Sequence, residues 1–288
     1  MAFPVHLIGV PYDSGRRGER LGAGPDVLSR ALEPRLREAG HAVQRVTIEP
    51  SAGTWRAEIG TAFDLARGVA RAVDAARAAG AFPLVLSGNC GPAAIGCVAT
   101  EGDPAVFWFD AHGDFNTPDT TVSGFLDGMA LAAVTGRCWP QLARAVTGFR
   151  PVREDAVVLV GARDLDPLET RALEMSRVRR VPLESMRPEL SAEIGLVAET
   201  CVGAYVHLDL DVLDPSQGRM NSYAAPDGLS REDVAWAIRE IAESFFVFGA
   251  ALTAFDPGSD QDGRALETAV AMGLTLIEYA SDPTPEPE

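Results

Sequence analysis

Two short segments of the chain concentrate side chains that can bind metal ions. Residues 110–114 (DAHGD) and residues 207–211 (HLDLD) each place three aspartate or histidine side chains at alternate positions. Both segments adjoin apolar runs with the composition of buried β-strands. Alternate residues of a strand point to one face, so the three side chains of each segment can converge. Buried carboxylates at this density repel one another unless a cation lies among them, which indicates a metal site.

The ligand types favour particular ions and a particular chemistry. Carboxylate oxygens with one or two imidazoles suit manganese-like divalent ions. Two such ions that share bridging carboxylates would explain the number of acidic residues, and they can hold an activated hydroxide between them. A simpler alternative is that the aspartates only cap loops at strand ends. That alternative is the weaker one, because two buried motifs would then carry unpaired charge.

The elements that position these segments alternate between short β-rich runs and helical stretches. This alternation is typical of a three-layer α/β/α fold, in which helices cover both faces of a mostly parallel eight-stranded sheet. In such sheets ligands bind at the carboxyl ends of the strands. The eight predicted strands are residues 5–10, 42–47, 82–86, 105–109, 156–161, 179–182, 204–210 and 246–254.

Helices and chain ends complete the predicted organisation. The clearest helices are residues 56–79, 231–244 and 263–280. Ser230 followed by Asp233 is a capping pattern that starts the second of them. Because there is no internal repeat or linker, residues 1–280 are predicted to form one domain. The Pro/Glu-rich residues 281–288 are predicted to be a disordered tail.

The amino-acid composition indicates which kinds of partner and which cellular compartment to expect. The 288 residues carry a net charge of −16, with 25 basic against 41 acidic side chains, and no basic run indicates a nucleic-acid partner. The longest apolar stretch, residues 245–255, is too short to cross a bilayer, and residues 1–10 lack the features of a signal peptide. The four cysteines form no Cys-x-x-Cys pair. These features predict a cytoplasmic protein that binds neither nucleic acid nor membrane.

At the acidic segments the chain resembles the ureohydrolase superfamily of arginases, agmatinases and formimidoylglutamases. Residues 110–114 and 209–215 (DLDVLDP) match highly specific signatures of that family, and residues 9–13 (GVPYD) add support. The resemblance spans nearly the whole chain and implies two divalent metal ions, with Mn²⁺ as the expected element. The ligands that it implies are Asp110 and Asp209 as bridges, Asp114 for the first ion, and His112 with Asp211 for the second.

Two of the family's histidines are replaced. Where the family has Gly-Gly-Asp-His-Ser, residues 87–91 read SGNCG, so Cys90 takes the place of the first metal-binding histidine. A thiolate ligand would favour zinc-, iron- or cobalt-like ions at the first site; the alternative is an ordinary buried thiol beside a weak site. The histidine that shuttles protons in arginases is replaced by Asp127. A carboxylate can take over this role if its surroundings shift its pKa.

The end of the site that binds the guanidinium differs further from the family pattern. Ala254 falls where arginases have a glutamate, and Asp256 points to the other side of the strand by parity. His207 lies where the family usually has a small residue. Three roles are open for His207: a partner of a metal carboxylate, a histidine satisfied in the core, or a proton carrier instead of Asp127.

The other end of the substrate site resembles arginases closely. Asn116 and Ser123 fall where arginases bind the α-carboxylate, and Asp166 falls where they bind the α-ammonium. Polar donors opposite a carboxylate, and an anion opposite an ammonium, suit a free amino acid. The alternative is that these three residues only stabilise loops.

Together these residues predict a metal-dependent amidinohydrolase. The expected substrate is an arginine-type amino acid, Nω-hydroxy-L-arginine or L-arginine, which would be cleaved to ornithine plus hydroxyurea or urea. The rivals are an agmatinase-like or other guanidino or amide C–N hydrolase, and a non-catalytic metal-binding protein of the same family. The resemblance also implies a homo-oligomer, either a trimer or a hexamer.

Overall fold

The strands of the computed structural model, which describes residues 2–51 and 57–280, form one large sheet and one small hairpin. Their bounds are β1 (Pro4–Val10), β2 (Tyr12–Asp13), β3 (Arg16–Arg17), β4 (Ala42–Thr47), β5 (Phe82–Ser87), β6 (Ala105–Phe109), β7 (Val157–Val160), β8 (Arg179–Val181), β9 (Gly203–Asp209) and β10 (Phe246–Thr253). The large sheet has the order β4-β1-β5-β10-β9-β6-β7-β8, and each neighbouring pair in it is parallel. The hairpin pairs β2 with β3 in antiparallel fashion.

Helices pack against the sheet and against one another in two groups. Their bounds are α1 (Gly24–Glu38), α2 (Glu58–Ala78), α3 (Cys90–Val98), α4 (Ala130–Val134), α5 (Pro140–Ala143), α6 (Pro167–Glu174), α7 (Met186–Ala198), α8 (Arg231–Ser244) and α9 (Arg264–Glu278). One group runs α1, α9, α8, α7, and the other runs α2, α3, α4. Strands β5 and β6 are buried along their whole length, as strands covered on both faces must be. Among the described helices, none has the length and apolarity that a membrane crossing requires.

The predicted fold class is confirmed, because the structure is a parallel eight-stranded sheet between helical layers. Each predicted strand is present, with ends that move by at most one residue. The helix predicted at 231–244 has the same bounds as α8, and Ser230 accepts the N–H of Asp233 as its cap. The helix predicted at 56–79 is two residues shorter at its start and one at its end. The predicted tail at 281–288 lies outside the described residues.

Four neighbouring strands in the middle of the sheet, β5, β10, β9 and β6, position the acidic segments. Because these strands are parallel, their carboxyl ends lie along one edge of the sheet and their outgoing loops start side by side. Thr253 at the end of β10 pairs with Ser87 on one side and with Asp209 on the other. Trp108 on β6 pairs with His207 on β9. This register brings loops that are distant in sequence to one place.

Candidate active site

A cavity of about 300 Å³ opens at this edge of the sheet. All the residues proposed above for the site line it, with the exception of His207. They are Cys90, Asp110, His112, Asp114, Asn116, Ser123, Asp127, Asp166, Asp209 and Asp211. Residues from four separate loops therefore meet in one cavity, as the sequence-based interpretation requires.

The first group of candidate metal ligands contains Cys90, Asp110 and Asp209. Each offers one ligand atom, and the three atoms lie within 4.8 Å of one another. All three side chains are buried, and the Cys90 Sγ donates a hydrogen bond of 3.0 Å to the Asp209 Oδ2. Cys90 begins α3 immediately after β5, so the strand and the helix together fix its position.

The second group contains Asp110, His112 and Asp211, again with their ligand atoms within 4.8 Å of one another. The His112 Nδ1 lies 3.2 Å from Asp110 and 3.5 Å from Asp211. Asp110 belongs to both groups, which is the arrangement that a bridging carboxylate requires. Asp209 belongs to the first group only, although its Oδ1 accepts the backbone N–H of Asp211 at 2.9 Å. The geometry thus brings together two groups of candidate ligands that share Asp110.

Asp114 lies outside both groups, but its carboxylate also indicates a site for a cation. Its Oδ2 is buried and has no hydrogen-bond partner among the described residues. Its backbone has a φ of +48°, in the left-handed region that aspartate adopts more readily than most residues other than glycine. A buried carboxylate oxygen without a partner is costly unless a cation or water satisfies it. The donor set therefore fits divalent cations, with Asp114 as a further ligand.

The pKa shifts within the cluster also indicate a site for cations. Burial, and then the neighbouring carboxylates, raise the pKa of Asp114 and of Asp209 well above the usual range for aspartate. Burial opposes a charged His112, yet its hydrogen bonds to Asp110 and Asp211 raise the pKa of this imidazole. The same contacts overcome the effect of burial on Asp211 and lower its pKa to about 2. Without a metal ion, protons must supply the positive charge that this cluster needs.

The Cys90 thiol shares this dependence on a cation. Burial, together with the nearby carboxylates of Asp127 and Asp209, raises the pKa of Cys90 well above its ordinary value. A thiolate at this position is therefore stable only beside a positive charge. Cys90 can therefore be a ligand when a metal ion supplies that positive charge.

Asp127 occupies the turn before α4 and holds the start of α3. Its Oδ1 accepts the backbone N–H groups of Cys90 at 2.8 Å and Gly91 at 3.2 Å, and its Oδ2 accepts the Asn89 side chain at 2.9 Å. Burial outweighs these hydrogen bonds and raises the pKa of Asp127 to about 7. A group with this pKa can both accept and release a proton near neutral pH.

His207 lies below the cavity instead of lining it. The ring stacks on Trp108 with centroids 3.7 Å apart, and its Nδ1 is 2.9 Å from the Tyr205 hydroxyl. Burial lowers the pKa of His207 to about 3, so the ring is neutral. The strand ends at Asp209 and a 3₁₀ turn carries Asp211 into the cavity, so the strict alternation predicted for 207–211 stops at Asp209. This placement favours a buried partner of the site over a proton carrier.

The residues proposed for the amino-acid end lie together. Asn116 Nδ2 donates to Asp166 Oδ2 at 3.1 Å, so these two side chains form one polar surface. Ser123 lies at the exposed rim, where its hydroxyl accepts the N–H of Phe125 at 3.1 Å. Glu169, which sequence reasoning missed, also lines the cavity and accepts the N–H of Phe115 at 2.8 Å. The capping pattern Asp-Pro-x-Glu at 166–169 was the available signal for it.

A second missed residue, Asn221, connects the metal ligands to the cavity wall. It is fully buried, and its Nδ2 donates to Asp211 Oδ2 at 3.3 Å and to the Ala254 carbonyl at 2.8 Å. Its Oδ1 accepts the N–H of Tyr223, whose ring stacks on Phe125 beside the cavity. Nothing in the sequence distinguishes this asparagine from an ordinary loop residue.

Ala254 keeps an unusual backbone where the family pattern has a glutamate. Its φ is +62°, and it lines the cavity with a methyl group only. The carbonyl of Ser87 accepts its N–H at 3.2 Å, and Asn221 binds its carbonyl, which together hold this conformation. Asp256 is not among the residues that line the cavity. The structure therefore shows no carboxylate that replaces the glutamate at this position.

The raised pKa values predict that the metal-free protein loses stability as the pH rises. Unfolding releases protons from Asp114, Asp127 and Asp209 once the pH exceeds the unfolded value of about 3.9. Each proton retained only in the folded state then costs about 1.4 kcal/mol of stability per pH unit. The loss from Asp127 spans the interval up to its folded pKa of about 7, and Asp211, with its lowered pKa, does not act in this range. His207, with its pKa lowered to about 3, opposes the loss up to its unfolded value of about 6.5, but one histidine offsets only one of the three aspartates.

The measurement is thermal unfolding in EDTA between pH 5 and pH 7. We expect the melting temperature to fall across this range and the fall to be shallower in Asp127→Asn, which removes one titrating group. Asp74→Asn, at an exposed position of α2, is the matched control and should keep the wild-type slope. A melting temperature that is constant or rises between pH 5 and pH 7 would contradict this account.

The chain is similar to known proteins over nearly its whole length. The arginase family pattern matches residues 3–279. The arginase of Bacillus caldovelox is 28% identical over 95% of this chain and 98% of its own length, and its solved structure covers 95% of this chain with a TM-score of 0.83. The Nω-hydroxy-L-arginine amidinohydrolase of Streptomyces lavendulae is 31% identical over 96% of this chain and 98% of its own length.

The likeness extends to the fold of more distant enzymes. The structure of formimidoylglutamase from Bacillus subtilis covers 97% of this chain and 87% of that protein with a TM-score of 0.77, at 17% identity. The resemblance to ureohydrolases and the predicted enzyme class, a hydrolase acting on linear amidines, are both confirmed. The chain belongs to the arginase family.

Proposed function

We propose that this protein is a binuclear metal-dependent amidinohydrolase that cleaves Nω-hydroxy-L-arginine, with L-arginine as the second candidate substrate. The products would be ornithine and hydroxyurea, or ornithine and urea. The observation that carries the proposal is one cavity that combines two ligand groups sharing Asp110 with the polar surface of Asn116 and Asp166. A metal cluster alone would suit many hydrolases, but a surface for an amino acid beside it suits this class.

The metal ligands are assigned from the two groups. Cys90, Asp110 and Asp209 would hold the first ion with Asp114, and Asp110, His112 and Asp211 would hold the second. The family resemblance adds Asp209 to the second ion as a bridge. When bound, two divalent ions would act as Lewis acids and lower the pKa of a bound water, so that hydroxide is available at neutral pH. The oxygen-rich second site suits Mn²⁺, and the thiol makes the first site more tolerant of softer ions.

The chain's own residues orient the substrate and handle protons. Ser123 and Asn116 would bind the α-carboxylate at the rim, while Asp166 pairs with the α-ammonium. This pairing points the side chain of the amino acid down toward the carboxylate cluster. Asp127, with its pKa of about 7, would accept a proton from the nucleophile and return it to the leaving amine. The neutral and buried His207 takes no part in this transfer.

The part of the cavity at Ala254 suits an N-hydroxyguanidine group better than a guanidinium group. At Ala254 only a methyl group faces the position where arginases carry a glutamate, so a cationic head would lack its partner there. The electron-withdrawing hydroxyl makes N-hydroxyguanidine a weaker base than guanidine, so it depends less on such a partner. The relative from Streptomyces lavendulae is named for hydrolysis of the hydroxylated substrate, which also supports this choice.

The compartment and assembly state are part of the proposal. The four cysteines are buried and form no disulfide in the described residues, which suits a reducing cytoplasm. The family resemblance supports a homo-oligomer, either a trimer or a hexamer. The size of the assembly can be read from light scattering of the purified protein.

A substrate panel tests the function. With Mn²⁺ present, we expect release of hydroxyurea from Nω-hydroxy-L-arginine with a kcat/KM at least 10-fold above that for L-arginine, agmatine or guanidinobutyrate. The physical reason is that the site has lost the charged partner of the guanidinium and has kept the amino-acid end. Equal or greater activity on agmatine would support the agmatinase-like rival, and no hydrolysis of any compound would support the non-catalytic rival.

Two variants test the amino-acid end separately. Asn116→Ala and Asp166→Ala each remove a contact to a charged group, so we expect KM to rise by about 10- to 100-fold, equivalent to roughly 1.5–3 kcal/mol. Asp119→Asn is the matched control, because it lies on the same loop and is exposed. Unchanged kinetics in both alanine variants would contradict the assignment of an amino-acid substrate.

A further inference from the structure

Two positions at which the chain departs from the arginase pattern are joined by a buried threonine. Cys90 stands where the family has a metal-binding histidine, His207 stands where it usually has a small residue, and Thr253 lies between them. They come from three separate parts of the chain, yet each contacts the next. Departures that are independent of one another have no reason to form a connected group.

Thr253 is the centre of this group. Its Oγ1 lies 3.3 Å from the Cys90 Sγ, 3.2 Å from the Asp209 Oδ2 and 3.4 Å from the His207 Nε2. The side chain is fully buried, and its strand position beside Asp209 fixes the hydroxyl between the two ligands. A valine there would fill the same volume without a hydroxyl.

His207 lies between Tyr205 and the Thr253 hydroxyl. Its Nδ1 is 2.9 Å from the Tyr205 hydroxyl and its Nε2 is 3.4 Å from the Thr253 Oγ1, so each ring nitrogen has its own partner. In the tautomer with its proton on Nε2, the Tyr205 hydroxyl donates to Nδ1 and the Nε2 N–H faces the Thr253 oxygen. The Thr253 proton then has Cys90, Asp209 and the Leu208 carbonyl as its nearby acceptors.

Trp108 connects His207 to Asp110, the ligand that both groups share. Its ring stacks on His207 at 3.7 Å, and its Nε1 donates to the Asp110 Oδ2 at 3.0 Å. The imidazole is therefore in contact with two side chains that hydrogen-bond three ligands of the first site. Such outer contacts orient metal ligands and tune their basicity.

We propose that Thr253 and His207 are positioning residues for a thiolate ligand. When Cys90 is ionised, the Thr253 hydroxyl donates to its sulfur, and His207 holds the hydroxyl in that direction. This hydrogen bond lowers the charge on the sulfur and stabilises the thiolate among the carboxylates. The inference rests on the proposed role of Cys90 as a metal ligand and explains why the replaced histidine is accompanied by the change at His207.

The test uses Co²⁺ in place of the native ion, because a thiolate bound to Co²⁺ gives a charge-transfer band in the near ultraviolet. The wild-type protein should show this band, and Cys90→Ser should lack it. In Thr253→Val, loss of the hydrogen bond should move the band to longer wavelength and weaken Co²⁺ binding by about 10-fold or more. His207→Gln should produce a smaller shift in the same direction.

Two controls separate this role from a general effect on packing. Thr253→Ser keeps a hydroxyl and should keep the wild-type band. Thr268→Val makes the same substitution at another buried threonine, whose hydroxyl donates to the Gln217 carbonyl, and should also leave the band unchanged. Neither the charge-transfer band nor the affinity for Co²⁺ requires hydrolysis, so these measurements do not depend on the substrate assignment.

The outcomes are distinct. A wild-type protein without the band, like Cys90→Ser, would overturn the ligation by Cys90 and the inference with it. A wild-type band that is unchanged in position and affinity in both Thr253→Val and His207→Gln would overturn the inference alone.

Discussion

Mutual repulsion among buried carboxylates is the constraint on which the rest of the structure depends. Asp110, Asp114, Asp209 and Asp211 are all buried at one edge of the sheet, and no lysine or arginine is among the residues that line their cavity. Their hydrogen bonds satisfy most of the oxygens, but the Asp114 Oδ2 is left without a partner in the described part of the chain. Positive charge must enter this cluster as protons or as metal ions, and the geometry of two ligand groups with a common member suits metal ions.

The two ends of the cavity differ in how far they follow the arginase pattern. Asn116 and Asp166 are in contact, as a surface for the charged groups of an amino acid would be. Residue 254 has a strained backbone and a methyl group in place of the family's carboxylate, and Asn221 connects its carbonyl to Asp211. Strain of this kind persists only where the surrounding contacts impose it, and it is typical of functional sites. The chain thus has the fold of the family but differs from its residue pattern at Ala254.

The fold and the metal cluster could be predicted because their signals are local. Apolar strand runs and the segments 110–114 and 209–215 carry the pattern within a few residues, and parallel strands must bring their carboxyl ends together. Contacts between distant segments could not be predicted in this way. The inward position of His207, its stacking on Trp108 and the link from Asn221 to Asp211 depend on register and loop path. The left-handed conformation of Ala254 also has no signature in the sequence, since alanine rarely adopts it.

The most direct test of the central claim is the number of metal ions that the cluster binds. Metal-free protein is titrated with Mn²⁺, passed through a desalting column and analysed for manganese per chain. The account predicts two ions in the wild-type protein and fewer than one in Asp110→Asn, because Asp110 belongs to both ligand groups. A wild-type protein that binds one ion or none, or an Asp110→Asn variant that still binds two, would contradict it.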